Sequence, residues 1–305
     1  MHIFLQIFIL SRDRPALLHK AIESALLQNE SEFDYEIIIS DNSVEDDVNK
    51  LINKYYLNSK KIKYIRRTSS LSEYQHYELA ISEFSAKYAV MFHDDDIFHP
   101  DYIKQMVPLI LNDSVVAVGC NAMIFNNEIG DTTKKMHIFK SIKTFNNKKD
   151  FLQQYLFGYG GVAPLPGYIY KTKFIQKIKF ESLILGKHAD ASLLAKLIDY
   201  GSIAWLPDAV MYYRVHSKAS SAVEVISHRL NFLRYAYKEG VDRGSKPVFL
   251  SRYLWWINWV RQQGSFSSNI TKWKYRIVTK FLIFGFFKVI FSPFFWSYIL
   301  KKMSN

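Results

Sequence analysis

Tyr88-Ala89-Val90-Met91-Phe92-His93-Asp94-Asp95-Asp96 decides how this chain is read. Its apolar part has the length of a buried strand and stops abruptly at three carboxylates. In an open α/β sheet a ligand sits beyond the carboxyl ends of the strands, where such an edge would lie. Three adjacent acids repel one another and resist burial unless water or a cation compensates them, and hard divalent ions take carboxylate oxygen and bridge to phosphate. The corner therefore reads as a metal and diphosphate site. A solvated acidic loop after a strand remains the plain alternative.

Outward from that strand, the pattern repeats. Ile3 to Leu10 is an apolar run of strand length, followed by Ser11-Arg12-Asp13-Arg14-Pro15 and then Leu18, Ala21, Ile22, Ala25 and Leu26 at helical spacing. Pro15 fits a first helical turn, where its missing N–H costs nothing. Tyr35 to Ser40 is a second strand that runs into Asp41-Asn42-Ser43, and Asp46 and Asp47 open the next helix. Ile62 to Arg66 predicts a third strand and Glu73 to Phe84 a third helix. Strands alternating with helices predict a parallel, doubly wound sheet.

The first glycine in the chain is Gly119. Dinucleotide folds and Walker loops need glycine directly after the first strand, so that backbone can approach phosphate; both are excluded here. A nucleotide bound by the first half must be held by side chains and a metal.

The second half predicts a helix from Pro100 to about Leu111, a strand from Val115 to Phe125, and a weakly patterned lysine-rich segment from Asp131 to Lys149. Gly158 to Gly161 and Pro164 to Gly167 bracket a loop that leads into a strand from Tyr168 to Tyr170. Asp190 opens a helix closed by Gly201, and Ser202 to Leu206 and Val210 to Val215 read as two last strands.

With 305 residues, 49% of them hydrophobic and 16% aromatic, the chain can bury a substantial core. A single cysteine, Cys120, excludes an intramolecular disulfide and a multi-cysteine zinc site. Met1 to Leu10 lacks the layout of a secretory signal, so the body of the protein is expected in the cytoplasm. The formal charge of +12 predicts an anionic partner. Much of that charge lies near the C-terminus, interleaved with Trp273, Trp296 and Tyr298, as in segments that lie on a membrane surface. Phe281 to Leu300 nearly suffices to span a bilayer but is interrupted by Lys288 and Pro293; burial in a homo-oligomer is the other reading.

Four stretches resemble the family 2 glycosyltransferases of the GT-A fold. Phe8-Ile9-Leu10-Ser11-Arg12-Asp13-Arg14-Pro15 is similar to that family's opening strand and turn, and Ser40-Asp41-Asn42-Ser43 to its second-strand acid. His93-Asp94-Asp95-Asp96 resembles the DxD element, followed by Pro100-Asp101-Tyr102. Lys187-His188-Ala189-Asp190 sits where the family carries its catalytic acid pair, and Tyr213-Arg214-Val215-His216 is similar to its late YRxH element. The similarity spans roughly residues 3 to 220.

The resemblance implies a Rossmann-like α/β/α sandwich with a mixed, mainly parallel sheet, followed by a C-terminal helical, membrane-associating region. The expected divisions are a nucleotide-sugar-binding half over 1–105, an acceptor-binding half over 106–220 and the basic, aromatic region over 221–305. It also implies roles: Ser11, Arg12, Arg14, Asp41, Asp94, Asp95, Arg214 and His216 on the donor nucleotide sugar, and Asp96, Asp94 and His216 around Mn²⁺ or Mg²⁺. Asp41 would face the nucleobase or ribose, and Asp95 could serve either group. Asp190 would be the general base of a single inverting displacement, with Glu181 and Asp208 as fallback candidates; helix capping is the competing role for Asp190. His93 and His99 are expected to be structural or to support the ligands.

The implied partners are a nucleoside-diphosphate sugar donor, a glycan or lipid-linked glycan acceptor in bacterial surface polysaccharide assembly, and the inner face of the cytoplasmic membrane, with no nucleic acid and with an oligomer possible. A membrane-associated binding protein with a degenerate fold is the non-enzymatic alternative. The chain departs from the family pattern at Arg12, where many members have a stacking aromatic, and at His188, where the first acid of the pair is missing.

Overall fold

The computed structural model describes residues 4–29, 33–126, 129–131, 134–137, 140–157, 162, 165–215, 225–245, 248 and 251. The first half is built as expected: β1 (Leu5–Ser11), α1 (Pro15–Leu26), β2 (Tyr35–Asp41), α2 (Asp47–Tyr55), β3 (Ile62–Arg66), α3 (Glu73–Glu83) and β4 (Tyr88–His93). Then follow β5 (Ile97–Phe98), α4 (Tyr102–Ile110), β6 (Val115–Phe125), β7 (Lys134–Lys135), β8 (Lys143–Phe145), α5 (Lys148–Phe157), β9 (Ile169–Lys171), α6 (Thr172–Ile175), α7 (Ser182–Leu185), α8 (Ala189–Leu197), β10 (Ser202–Arg214) and α9 (Ile226–Lys238).

One sheet runs β3-β2-β1-β4-β9-β6-β10-β5, with β7 on β6 and β8 on β10. The pairs of β1 with β2 and β4, of β2 with β3, and of β6 with β10 are parallel. The short β9 is antiparallel to both β4 and β6 and joins the two parallel blocks. The sheet is therefore mixed and mainly parallel.

Side-chain alternation explains the layering. On β1, Ile7 and Ile9 face one core with Ile37, Ile39, Val90 and Phe92, against Leu18 and Ile22 of α1 and Ile103 and Val107 of α4. Phe8, Ile38, Ala89 and Met91 face the opposite core, with Ala80 and Ile81 of α3, Leu193 and Leu194 of α8 and Phe232 of α9. Strands buried on both faces read as unbroken apolar runs, which is why these were legible. Among the described residues, no helix is long and apolar enough to cross a membrane.

Two expectations change. Ser202 to Leu206 and Val210 to Val215 form one continuous strand, because the register slips at Leu206/Ala209 and Ala209/Met211 and absorbs Pro207 as a bulge. The lysine-rich segment carries β7, β8 and the start of α5; Phe145 pairs with Ile203 and is buried against Phe151. Residues 252–305, which hold the expected membrane-associating stretch, lie outside the described residues, as does most of the Gly158–Gly167 loop.

Candidate active site

The carboxyl ends of β1, β2, β3, β4 and β10 bring the expected residues to one edge. In register, Ser11 lies beside Asp41, Asp41 beside Arg66, and Leu10 beside His93. Asp13 follows β1 with φ of 54°, a conformation that aspartate tolerates better than most residues. Its carboxylate accepts from the N–H groups of Val44 and Glu45, which ties the turn after β1 to the turn after β2.

Asp41 is fully buried. It accepts from Tyr64 Oη (2.7 Å) and Arg66 Nη1 (2.6 Å) on one oxygen, and from the backbone N–H (2.9 Å) and hydroxyl of Ser43 on the other. Burial and the bond to Asp41 push the Tyr64 phenol up to about 12. A base would reach Asp41 only by exchanging with one of these donors. Arg12 Nη1 (3.1 Å) and Asn42 Nδ2 (3.0 Å) both donate to the carbonyl of Leu71, which fixes the segment before α3 beside this corner.

The three acids have three environments. Asp94 is sealed: its side chain has no exposed surface, it accepts from Ser11 Oγ (2.9 Å) and the Arg12 N–H (3.3 Å), and Arg14 Nη2 lies 2.5 Å away. Burial pushes its pKa up to about 7, against the pull of Arg14 and the two donated hydrogen bonds. Asp95 shares Arg14 at 2.9 Å, but its side chain is 13% exposed. Asp96 is buried; Oδ1 accepts from the Arg214 N–H at 3.0 Å, and Oδ2 has no hydrogen-bond partner among the described residues. Burial, with Asp95 adjacent, raises its pKa well above the usual carboxylate range.

A buried carboxylate oxygen without a donor calls for a cation. The surroundings supply the rest of a ligand set: among the described residues His93, Asp95 and Asp96 converge, each offering one donor atom, all within 4.8 Å of one another. Two carboxylates and one imidazole suit Mn²⁺ or Mg²⁺ better than a soft ion. The residues present thus fit a divalent metal. The convergent set differs from the expected one, however. Asp94 is turned to Ser11 and Arg14, His93 replaces it, and His216 lies outside the described residues.

Arg214 is placed differently from the expectation that it grips the diphosphate. It is buried over the Phe125 ring, donates from Nε to the Asp95 carbonyl (3.0 Å) and from Nη1 to the Asn126 carbonyl (3.0 Å), and so holds the acidic turn in place. His99 caps the turn into α4 by accepting from the Asp101 N–H.

Asp190 is the second residue of α8 rather than its cap, and its Oδ1 accepts from the N–H of Ala191 at 2.6 Å. Burial pushes its pKa up to about 6, while the Ala191 bond and Lys187 pull it down. Its charge is felt by the Tyr74, Tyr168 and Tyr170 phenols. Tyr74 packs on Tyr77 (ring centroids 6.4 Å apart), and Tyr77 stacks on His93 (5.7 Å, 13° between planes), so an aromatic layer runs from His93 to Tyr74, the phenol that feels the Asp190 charge. Gly186, just upstream, has φ of 53°, and a Cβ there would lie 2.0 Å from His228 Nδ1; only glycine lets α9 dock on this turn. Glu181 pairs with Lys196 and Asp208 lies in the bulge of β10, so neither joins this group.

Several residues here escaped the sequence reading. Arg66 could have been found by aligning strand ends, since it neighbours Asp41 across β2 and β3. Glu73 and Tyr77 form an (i, i+4) pair on α3. Tyr168 and Tyr170 carry no spacing signal.

The family model described as "Glycosyl transferase family 2" matches residues 6–169, more than half of the chain. No curated protein sequence matches it. Among solved structures, S. aureus TarS 1-349 in complex with UDP-GlcNAc aligns at a TM-score of 0.58 and 13% identity, over 82% of this chain and 70% of that one. The mannosyltransferase PcManGT from Pyrobaculum calidifontis, in complex with GDP-Man and Mn²⁺, aligns at 0.58 and 11% over 96% and 82%. At these identities the likeness shows the GT-A fold alone. The chain belongs to glycosyl transferase family 2.

Proposed function

We propose that this glycosyltransferase is metal-dependent and inverting, and that it moves a sugar from a nucleoside-diphosphate sugar to a hydroxyl of a lipid-linked glycan in bacterial surface polysaccharide assembly. The observation that carries the reading is the buried Asp96 oxygen, unpartnered among the described residues, beside His93 and Asp95, with the Asp190 charge felt at Tyr74 in the aromatic layer that ends on His93.

His93, Asp95 and Asp96 would hold the ion. When bound, Mn²⁺ or Mg²⁺ neutralises charge on the departing diphosphate. Arg14 would keep Asp94 and Asp95 apart in charge and direction, Ser11 would keep Asp94 oriented, and Asp41 with Arg66 and Arg12 would border the nucleobase. At the other end, Asp190 would take the acceptor hydroxyl proton as that oxygen forms its bond to the anomeric carbon and the bond to the β-phosphate oxygen breaks. A pKa near 6 suits this role, because the group is ionised at neutral pH yet basic enough to hold the proton. Of the tyrosines near Asp190, the partly exposed Tyr74 offers a face on which a sugar ring can pack, while Tyr168 and Tyr170 are buried beneath. The TarS and PcManGT structures hold UDP-GlcNAc and GDP-Man, which makes these two donors the first to try. The lipid-linked acceptor and attachment to the inner face of the cytoplasmic membrane are supported by the basic, aromatic composition of the C-terminal stretch.

The test is turnover of a panel of nucleotide sugars with Mn²⁺, Mg²⁺ or chelator, followed by the anomeric configuration of the product. Release of nucleoside diphosphate from one donor, abolished by chelator and by Asp190→Asn, with inverted product, supports the reading. Metal-independent turnover or retained configuration overturns it.

A further inference from the structure

His93 belongs to a hydrogen-bonded chain that the family resemblance did not suggest. Tyr77 Oη donates to Glu73 Oε1 at 2.9 Å and lies 3.0 Å from His93 Nε2. A phenol has one proton, and here the carboxylate takes it, so Tyr77 can only accept from the imidazole. His93 therefore carries its hydrogen on Nε2, and Nδ1 is left with a lone pair. That nitrogen lies 3.9 Å from Asp96 Oδ2, the buried oxygen that has no donor among the described residues. A lone pair facing a carboxylate oxygen gains nothing unless a proton or a cation lies between them, and 3.9 Å is too wide a gap for a hydrogen bond. Ligands each about 2.1 Å from one ion can lie up to about 4.2 Å apart, so the spacing suits a shared cation.

Exposure supports the same assignment. The side chains of Asp94 and Asp96 are 0% and 1% exposed, while those of His93 and Asp95 are 25% and 13% exposed. An ion arriving from solvent would meet His93 and Asp95 first. Tyr77 stacks on the imidazole, which fixes the plane of the ring as well as its tautomer. A histidine ligand held by a hydrogen bond from its other nitrogen to an oriented partner is a recurrent arrangement around metals.

We propose that His93 Nδ1 is a direct ligand of the divalent ion held with Asp95 and Asp96, and that Tyr77, oriented by Glu73, is the positioning residue that fixes its tautomer. The proposal rests on the metal-dependent reading above, but its test separates the two. The full chain is loaded with Mn²⁺ in the presence of UDP or GDP, and electron spin-echo modulation reads nitrogen coupling at the metal while titration reads Mn²⁺ affinity. His216→Gln serves as the reference, so that the His216 imidazole cannot contribute; it is expected to show imidazole-nitrogen modulation, which adding His93→Gln removes. Tyr77→Phe keeps the stacked ring and loses the hydroxyl; it should weaken Mn²⁺ by about tenfold, the low end of what such supporting partners contribute. Unchanged melting temperatures without metal would show that both variants fold; if His93→Gln does not, His93→Asn replaces it. Mn²⁺ bound without nitrogen modulation, modulation that survives the added His93→Gln, or wild-type affinity in Tyr77→Phe overturns this proposal and leaves the transferase reading standing. Failure of wild type to bind Mn²⁺ overturns both.

Discussion

The edge formed by β1, β2 and β4 and the face around Asp190 are built on opposite plans. At the edge, charged groups are held by partners from other strands: Asp41 by Tyr64, Arg66 and Ser43, Asp94 by Ser11 and Arg14, and Asp96 by the Arg214 backbone. Around Asp190 the carboxylate is held by its own helix, and the buried Tyr170 hydroxyl has no partner among the described residues. The first plan suits a ligand of fixed chemistry, such as a diphosphate and its metal, because preformed charge loses little on binding. The second holds its carboxylate through local backbone, near the partly exposed Tyr74 and the buried Tyr168 and Tyr170.

The largest effect that would sharpen this contrast is on the rate. Asp190→Asn should lower kcat by about 10²- to 10⁴-fold, the usual contribution of a general base, with nucleotide affinity unchanged. Loss of nucleotide binding in this variant would erase the division between the two regions. Next in size is a stability effect confined to the donor edge. Arg14→Met strands the sealed Asp94 and should cost about 2 to 3 kcal/mol in urea unfolding, less than for a fully buried pair because Arg14 is partly exposed. Adding Asp94→Asn should recover most of that loss; a simple sum of the two single effects would break the account of Arg14 as the partner of Asp94.

How much of this was legible follows from the same contrast. Donor-edge residues lie at the ends of apolar runs, so the sequence places Ser11, Asp41 and Asp94 to Asp96 together once the runs are strands. It cannot say which way each acid turns: Asp94 and Asp96 flank Asp95 in sequence, yet one meets Arg14 and the other an orphan space beside His93. That choice is made by Arg14 and Arg214, residues about 80 and 118 positions away from the acids they meet. The surroundings of Asp190 come from Tyr74, Tyr168 and Tyr170, which share no motif with it, so only Asp190 is legible, through resemblance. Pro207 looked like a boundary because a strand interior rarely tolerates proline, and the bulge that accommodates it has no sequence signature.

Two smaller effects probe each region in turn. Burial pushes the Asp190 carboxyl up to about 6, against the Ala191 N–H and Lys187, which pull it down. Protonation below that value removes the base. The kcat/KM should therefore rise about tenfold per pH unit up to pH 6 and flatten above it. A profile flat from pH 5 to 8 in wild type would remove Asp190 from the reaction. Smallest is the cap of α3, the helix that carries Glu73 and Tyr77. Ser72 and Gln75 form a capping box at its start, and Ser72→Ala should lower stability by about 1 kcal/mol with nucleotide binding retained.

The central claim, that the acids after β4 build a metal-dependent nucleotide site separate from the base, is met most directly by calorimetry of nucleoside diphosphates. Wild type, Asp96→Asn and Asp190→Asn would each be titrated with Mn²⁺, Mg²⁺ or chelator present. The account predicts metal-dependent binding of one nucleotide that is lost in Asp96→Asn and intact in Asp190→Asn. A folded wild-type protein that binds no nucleotide with either metal, or binds one equally well in chelator, would contradict it.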